Sequence, residues 1–203
     1  MAVPIESGSP GHGAARRPGD DKLKLRPYTP ADEHAAIELW RRTWAQHYPR
    51  IDFTARVPWW RERWRTELVP VAVITLAEVD EPIEAPRSPL IPAQAGIQQR
   101  GSQNAGSPLS RGRTGKRLVG FVTVDTKTRY LDQFVVAPEA WGSDVARALM
   151  DEAKRQSPAG LDLLVNKDNA RAIRFYEKHG FVYAGEDKNP VSGIAVNRME
   201  WRP

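Results

Sequence analysis

Two side chains in the second half of the chain could move a proton. The phenol of Tyr176, with an ordinary pKa of ~10, can protonate a departing anion near pH 7; its other role is to pack a helix. Asp132 falls within an aromatic and β-branched run, where alternation puts it on the face of Tyr130 and Phe134. It is either a base or a structural carboxylate, with Glu62 and an ordered water as other bases. Between these two, Gly142-Ser143 opens a helix. A helix N-terminus after a glycine-bearing turn offers free backbone N–H groups and the positive end of a dipole, a hold for phosphate. It is equally an ordinary strand-to-helix turn. The chain has no cysteine, which excludes a thiolate nucleophile, a thiolate metal site and a disulfide. No Ser-His-Asp order and no His/Asp metal cluster is visible.

The elements that position these residues follow from pattern. Tyr130 to Val136 predicts a strand closed by Ala137-Pro138. Val145, Leu149 and Ala153, with Ala146 and Met150 beside them, recur at helical spacing until the breaker cluster Ser157-Pro158-Ala159-Gly160. Leu161 to Val165 is a nearly continuous apolar strand, a pattern that predicts burial on both faces. Asp168 or Asn169 can cap a second helix bearing Ala172, Phe175, Tyr176 and His179, and Gly180 stands where a C′ residue belongs. His179 lies in the last turn, where a cation suits the dipole, and is read as structural. Two strands joined by a helical crossover are expected to be parallel neighbours.

Val136-Ala137-Pro138 followed by Trp141-Gly142-Ser143-Asp144-Val145-Ala146 resembles, in part, the pyrophosphate loop of the GNAT superfamily of N-acetyltransferases. Asn169-x-x-Ala172-x-x-x-Tyr176-Glu177-Lys178-x-Gly180-Phe181 is similar to a second motif of that family without a gap. The resemblance is firm over Gly120–Phe181 and loose over Leu23–Arg202. It implies an α/β GNAT fold: a mixed, mostly antiparallel sheet of about six to seven strands with flanking helices. It also implies that acetyl-CoA is held by Trp141, Gly142, Ser143, Asp144, Val145, Ala146 and Arg147 at its diphosphate. The backbone of Phe134, Val135 and Val136 would pair with the pantetheine arm, and the Val136 N–H would face the thioester oxygen. Asn169 would touch the same arm, cap its helix, or do both. Tyr176 becomes the acid for the departing thiolate, and Asp132 stands near the reacting carbonyl. Asp144 departs from the family, which has glycine there. Two like charges ~4 Å apart repel by about 1 to 4 kcal/mol according to screening, so weakened cofactor binding is expected unless the carboxylate turns to solvent or caps its helix.

Elsewhere, residues 1–21 have a Gly/Pro/Ser/Ala composition that predicts a disordered tail, or else reflect a misplaced start codon. Leu23 to Tyr28 predicts a strand. Thr29-Pro30 starts a helix with an Ile37–Trp40–Trp44 stripe. From His47 to Leu68, Trp60 and Trp64 share a helical face among arginines; they anchor the helix on the sheet, or some of Tyr48, Asp52, Trp59 and Glu62 line an acceptor pocket. Pro70–Val79 and Leu118–Asp125 predict a hairpin, interrupted by a Pro/Gly/Ser/Gln/Arg-rich insertion over 81–117 that is expected to be disordered. Within it, SPLIPAQAGIQ resembles the translated product of a dispersed bacterial intergenic repeat, so the chain is read as bacterial and the insert as without chemistry. Val182–Ala184 and Ile194–Trp201 predict the last strands, around a loop at 189–193. The net charge is +5, of which the 81–117 segment carries +4. A basic face for nucleic acid is therefore not expected. No run is long enough to span a bilayer and the N-terminus has no apolar h-region, so a soluble, cytoplasmic protein is expected.

The reading is a tail over 1–21 and an acetyltransferase domain over 22–203 that passes the acetyl group of acetyl-CoA directly to a primary amine, as a monomer or homodimer without nucleic acid, membrane or metal. The rivals are a non-catalytic acyl-CoA-binding relative weakened by Asp144 and the insertion, and a basic interaction module working through that insertion.

Overall fold

The computed structural model describes residues 23–82, 114–189 and 193–203; the predicted tail, most of the predicted insertion and residues 190–192 of the 189–193 loop lie outside them. In chain order the elements are β1 (Leu23–Pro27), α1 (Glu33–His47), α2 (Val57–Arg63), β2 (Val73–Pro82), β3 (Thr114–Asp125), β4 (Tyr130–Val136), α3 (Val145–Gln156), β5 (Leu161–Asn166), α4 (Ala170–Lys178), β6 (Val182–Lys188) and β7 (Ala195–Trp201). They form an α/β domain around one mixed, mostly antiparallel sheet in the order β1-β2-β3-β4-β5-β7-β6. β4 and β5 are its parallel pair, as the crossover predicts.

The β2–β3 hairpin is longer than the sequence predicts. Pairing continues through Asp80↔Lys116 and Glu81↔Gly115 to Pro82↔Thr114, so both ends of the expected insertion are strand. Asp80 opposite Lys116 is a favourable cross-strand pairing of charges. At the other end of β2, pairing starts at Val73, not at Pro70. β5 also departs from expectation. Leu161, Leu163 and Val165 are buried while Asp162, Leu164 and Asn166 are only partly so, a one-faced strand despite its apolar run.

Two features set the framework of the site. A Cβ at Gly120 would lie 2.8 Å from Leu149 Cδ1, 3.0 Å from the Val135 carbonyl and 3.1 Å from Val145 Cγ1, so glycine lets α3 press onto β3 and β4. The second feature is a parting of the sheet. β5 pairs along its whole length with β7, but with β4 only at Tyr130↔Asp162. Beyond Tyr130 the two strands diverge and leave an opening at the C-terminal end of β4.

On the other side of the sheet α1 and α2 build an aromatic stack. The Trp40 and Trp60 rings lie 4.6 Å apart and nearly parallel, and Trp64 meets Phe121 of β3 edge-on at 5.4 Å. Trp60 and Trp64 are buried, which is the anchoring role. After Trp64 the helix widens into a π turn over Trp64–Leu68.

Candidate active site

The opening between β4 and α4 is a cleft of about 450 Å³. Its first wall is β4. The Ala137 N–H donates to the Val119 carbonyl at 2.8 Å, so Val119 and Ala137 form a hydrogen-bonded pair. By antiparallel alternation Val136 and Phe134 then turn their N–H and C=O groups away from β3, toward the side that β5 has left. The floor is the turn into α3. Gly142 has φ +80°, a conformation glycine adopts without strain. Asp144 has φ −72° and ψ −6°, an ordinary right-handed geometry that any residue can hold.

Asp144 occupies the N-cap position of α3 without capping it. Its carboxylate accepts from Arg147 Nε at 3.1 Å and lies 3.0 Å from Arg147 Nη2, so the negative charge has a cation of its own. Arg147 is largely in solvent and Asp144 partly so, which keeps the pair weak.

The second wall is α4. Asn169 Oδ1 accepts the Ala172 N–H at 3.1 Å as a helix cap. At the other end the Phe181 N–H reaches the Tyr176 carbonyl and the Gly180 N–H reaches that of Glu177, a Schellman closure with Gly180 at φ +80°. These two ends fix where Tyr176 sits. Its ring packs between Phe134, Phe175 and Phe181, with centroids 5.5–6.2 Å away. Burial pushes its phenol well above the usual tyrosine range, so it holds its proton throughout physiological pH.

All the sequence-derived cofactor residues line this cleft (Phe134, Val135, Val136, Trp141, Gly142, Ser143, Asp144, Ala146, Arg147, Asn169 and Tyr176) except Val145, which is buried beneath it against Gly120. Asp132 is not among its lining residues. A bulge pairs Thr123 with Gln133 and Val124 with Leu131, so Asp132 is the extra residue and the strict alternation that set it beside Tyr130 and Phe134 is interrupted there. Its carboxylate accepts from Arg63 at 2.7 and 3.0 Å and from Gln133 Nε2 at 2.8 Å. Neighbouring Tyr130 is pushed up to about 12 by burial and by that carboxylate.

The four residues considered for an acceptor pocket do not line the cleft either. The Tyr48 oxygen accepts from Asn166 Nδ2 and donates to Asp168, the Asp52 carboxylate accepts the Thr54 and Ala55 N–H groups, and Trp59 and Glu62 are exposed. Sequence reasoning missed a third wall from α1, formed by Thr43, Trp44 and His47, and the residues Arg171 and Lys178 on α4. Trp44 already ends the Ile37–Trp40–Trp44 stripe, and Thr43 and His47 lie beside it at helical spacing, a signal that was available. Arg147, Arg171 and Lys178 outnumber Asp144 around the cleft, which is therefore electropositive. Among the described residues no group of three or more His, Asp or Glu is placed to hold a metal, and no helix is long and apolar enough to cross a membrane.

The sequence profile of the acetyltransferase (GNAT) domain matches residues 92–203, more than half of the chain. The chain belongs to the GNAT family. Solved structures, N-acetyltransferases among them, share its fold. The PaiA N-acetyltransferase from Thermoplasma acidophilum, in complex with coenzyme A, is 16% identical with a TM-score of 0.58, covering 89% of this chain and 99% of that one. The ribosomal-protein-S18-alanine N-acetyltransferase from Escherichia coli is 17% identical with a TM-score of 0.55, covering 89% and 93%. YjaB from the same organism, in its apo form, is 17% identical with a TM-score of 0.57, covering 88% and 97%. No curated protein sequence matches the chain.

Proposed function

We propose that this GNAT protein is an N-acetyltransferase that passes the acetyl group of acetyl-CoA directly to a primary amine within a ternary complex, with residues 22–203 as its catalytic domain. The observation that carries the reading is the parting of β4 from β5, which turns the backbone of Phe134 and Val136 into an electropositive cleft that Tyr176 also lines. The residues present suit acetyl-CoA. A free strand edge can pair with the amides of a pantetheine arm. The N-terminus of α3 supplies backbone donors for a diphosphate, with Arg147 and Arg171 as charges for its phosphates. Acetyl-CoA supplies the activated thioester.

The chain's own residues do the rest. The Val136 N–H donates to the developing oxyanion. Tyr176, kept neutral by burial, gives its proton to the leaving sulfur, and water takes up the proton that the attacking amine sheds and returns one to the phenolate. Asn169 orders the start of α4, and Asp132 holds Arg63 and with it α2. With no cysteine in the chain, an acetyl-cysteine route is unavailable, which supports direct transfer between donor and acceptor in one complex. That absence also accords with a reducing compartment, the cytoplasm.

The test is calorimetric titration of acetyl-CoA, followed by a thiol-release screen over small-molecule amines and peptides bearing free N-termini or lysines. Micromolar binding with turnover on one amine class is expected. Binding without turnover on any amine would favour a non-catalytic acyl-CoA-binding role, and absence of binding would reject the reading.

A further inference from the structure

Trp141 stands across the cleft. Its indole Nε1 donates to the Val136 carbonyl at 2.9 Å, which fills the outward acceptor at the end of β4. The same ring carries the Arg171 guanidinium 3.8 Å from its centroid. Val136 belongs to one wall and Arg171, the second residue of α4, to the other, so this one side chain ties the two walls together. No carboxylate among the described residues pairs with Arg171, and partial burial lowers its pKa, as expected for a cation withdrawn from water without a counter-charge. The indole itself is 38% exposed, so the ring has solvent to swing into.

We propose that Trp141 closes the cleft of the free protein and competes with the pantetheine arm of acetyl-CoA for the Val136 backbone, while Arg171 is the phosphate-binding cation that the indole holds in reserve. The proposal rests on the functional reading above. Entry of the arm requires the indole to leave Val136; departure of the ring uncovers Arg171 beside the cofactor's phosphates. An indole–carbonyl bond and a cation–π contact together favour the closed form by roughly tenfold or more, and the apparent affinity falls by the same factor.

Sign distinguishes a plug from a wall of the binding site. Trp141→Ala should bind both acetyl-CoA and S-acetylpantetheine about tenfold more tightly than the wild type in calorimetry. Trp141→Phe keeps the ring over Arg171 but loses the indole donor, and should show a smaller gain of about threefold. Arg171→Ala should split the two ligands, tightening S-acetylpantetheine, which has no phosphates, while weakening acetyl-CoA. The chain holds seven tryptophans, so the emission of Trp141 is taken as the difference between wild type and Trp141→Phe; it should shift to the red when acetyl-CoA binds. Weaker binding in Trp141→Ala, unchanged emission, or parallel losses of both ligands in Arg171→Ala would each overturn the proposal and leave acetyl transfer standing. Failure of every variant and of the wild type to bind acetyl-CoA would overturn both.

Discussion

Among the described residues tryptophan and arginine meet in two places, and the outcomes differ. In the layer made by α1 and α2, the arginines find carboxylates of the same chain. Arg63 pairs with Asp132 of β4, and Arg65 and Arg61 pair with Glu33 of α1, while Trp60 and Trp64 are buried beneath them. In the cleft, Arg171 lies on an exposed Trp141 and meets no carboxylate among the described residues. The residue types are the same. What separates a structural patch from a binding surface here is whether each cation is already neutralised by its own chain. A satisfied ion pair has little to offer a ligand, because breaking it costs what the new contact returns.

This contrast can be tested from both sides. The greatest loss is expected in the cleft: Tyr176→Phe keeps the ring among Phe134, Phe175 and Phe181 but removes the proton donor, and kcat should fall ~100-fold or more with acetyl-CoA affinity unchanged. Steady-state kinetics beside calorimetry reads both quantities, and an unchanged kcat would remove Tyr176 as the acid. Next comes Asp132→Asn, which leaves Arg63 with only the exposed Glu67 as a counter-charge. Urea denaturation should show a loss of about 1–3 kcal/mol while kcat changes little. If stability held and kcat collapsed, Asp132 would be a base, and the α2 layer would belong to the active site after all. The mildest effect is expected for Asp144→Gly. It removes a carboxylate from the phosphate end of the cleft and leaves Arg147 with only the more distant Asp151, so acetyl-CoA should bind about tenfold more tightly in dilute buffer, with the gain shrinking as salt is added. No gain would mean that Arg147 already cancels the charge.

Much of the cleft was legible because its pieces are local. The Asn169 cap, the Gly180 closure and the turn at Gly142 each declare themselves within a few residues, and together they place Tyr176 on α4 and the backbone donors at α3. What escaped is long-range. Nothing near Asp132 announces that Arg63, 69 positions earlier, will claim it. The bulge that isolates Asp132 arises from the register between β3 and β4, which a period-two reading of β4 alone cannot contain. Likewise the apolar run of β5 cannot tell that one face will be only partly covered. The Trp141–Arg171 contact spans a crossover helix and a strand, so it too waits on the fold.

The single rung between β4 and β5 has a further consequence. Tyr130 faces Asp162 across it, and the Asp162 N–H reaches the Arg129 carbonyl at 2.8 Å; past that point β1–β4 and β5–β7 share no ladder. Across the fork the two halves of the sheet are joined by side-chain packing in one shared core and not by backbone hydrogen bonds, so the outward amides of Phe134 and Val136 have no ladder partner there to slow their exchange. Any extended molecule that enters the fork and bonds to its edge acts as the missing strand, so its arrival would slow the exchange of those amides.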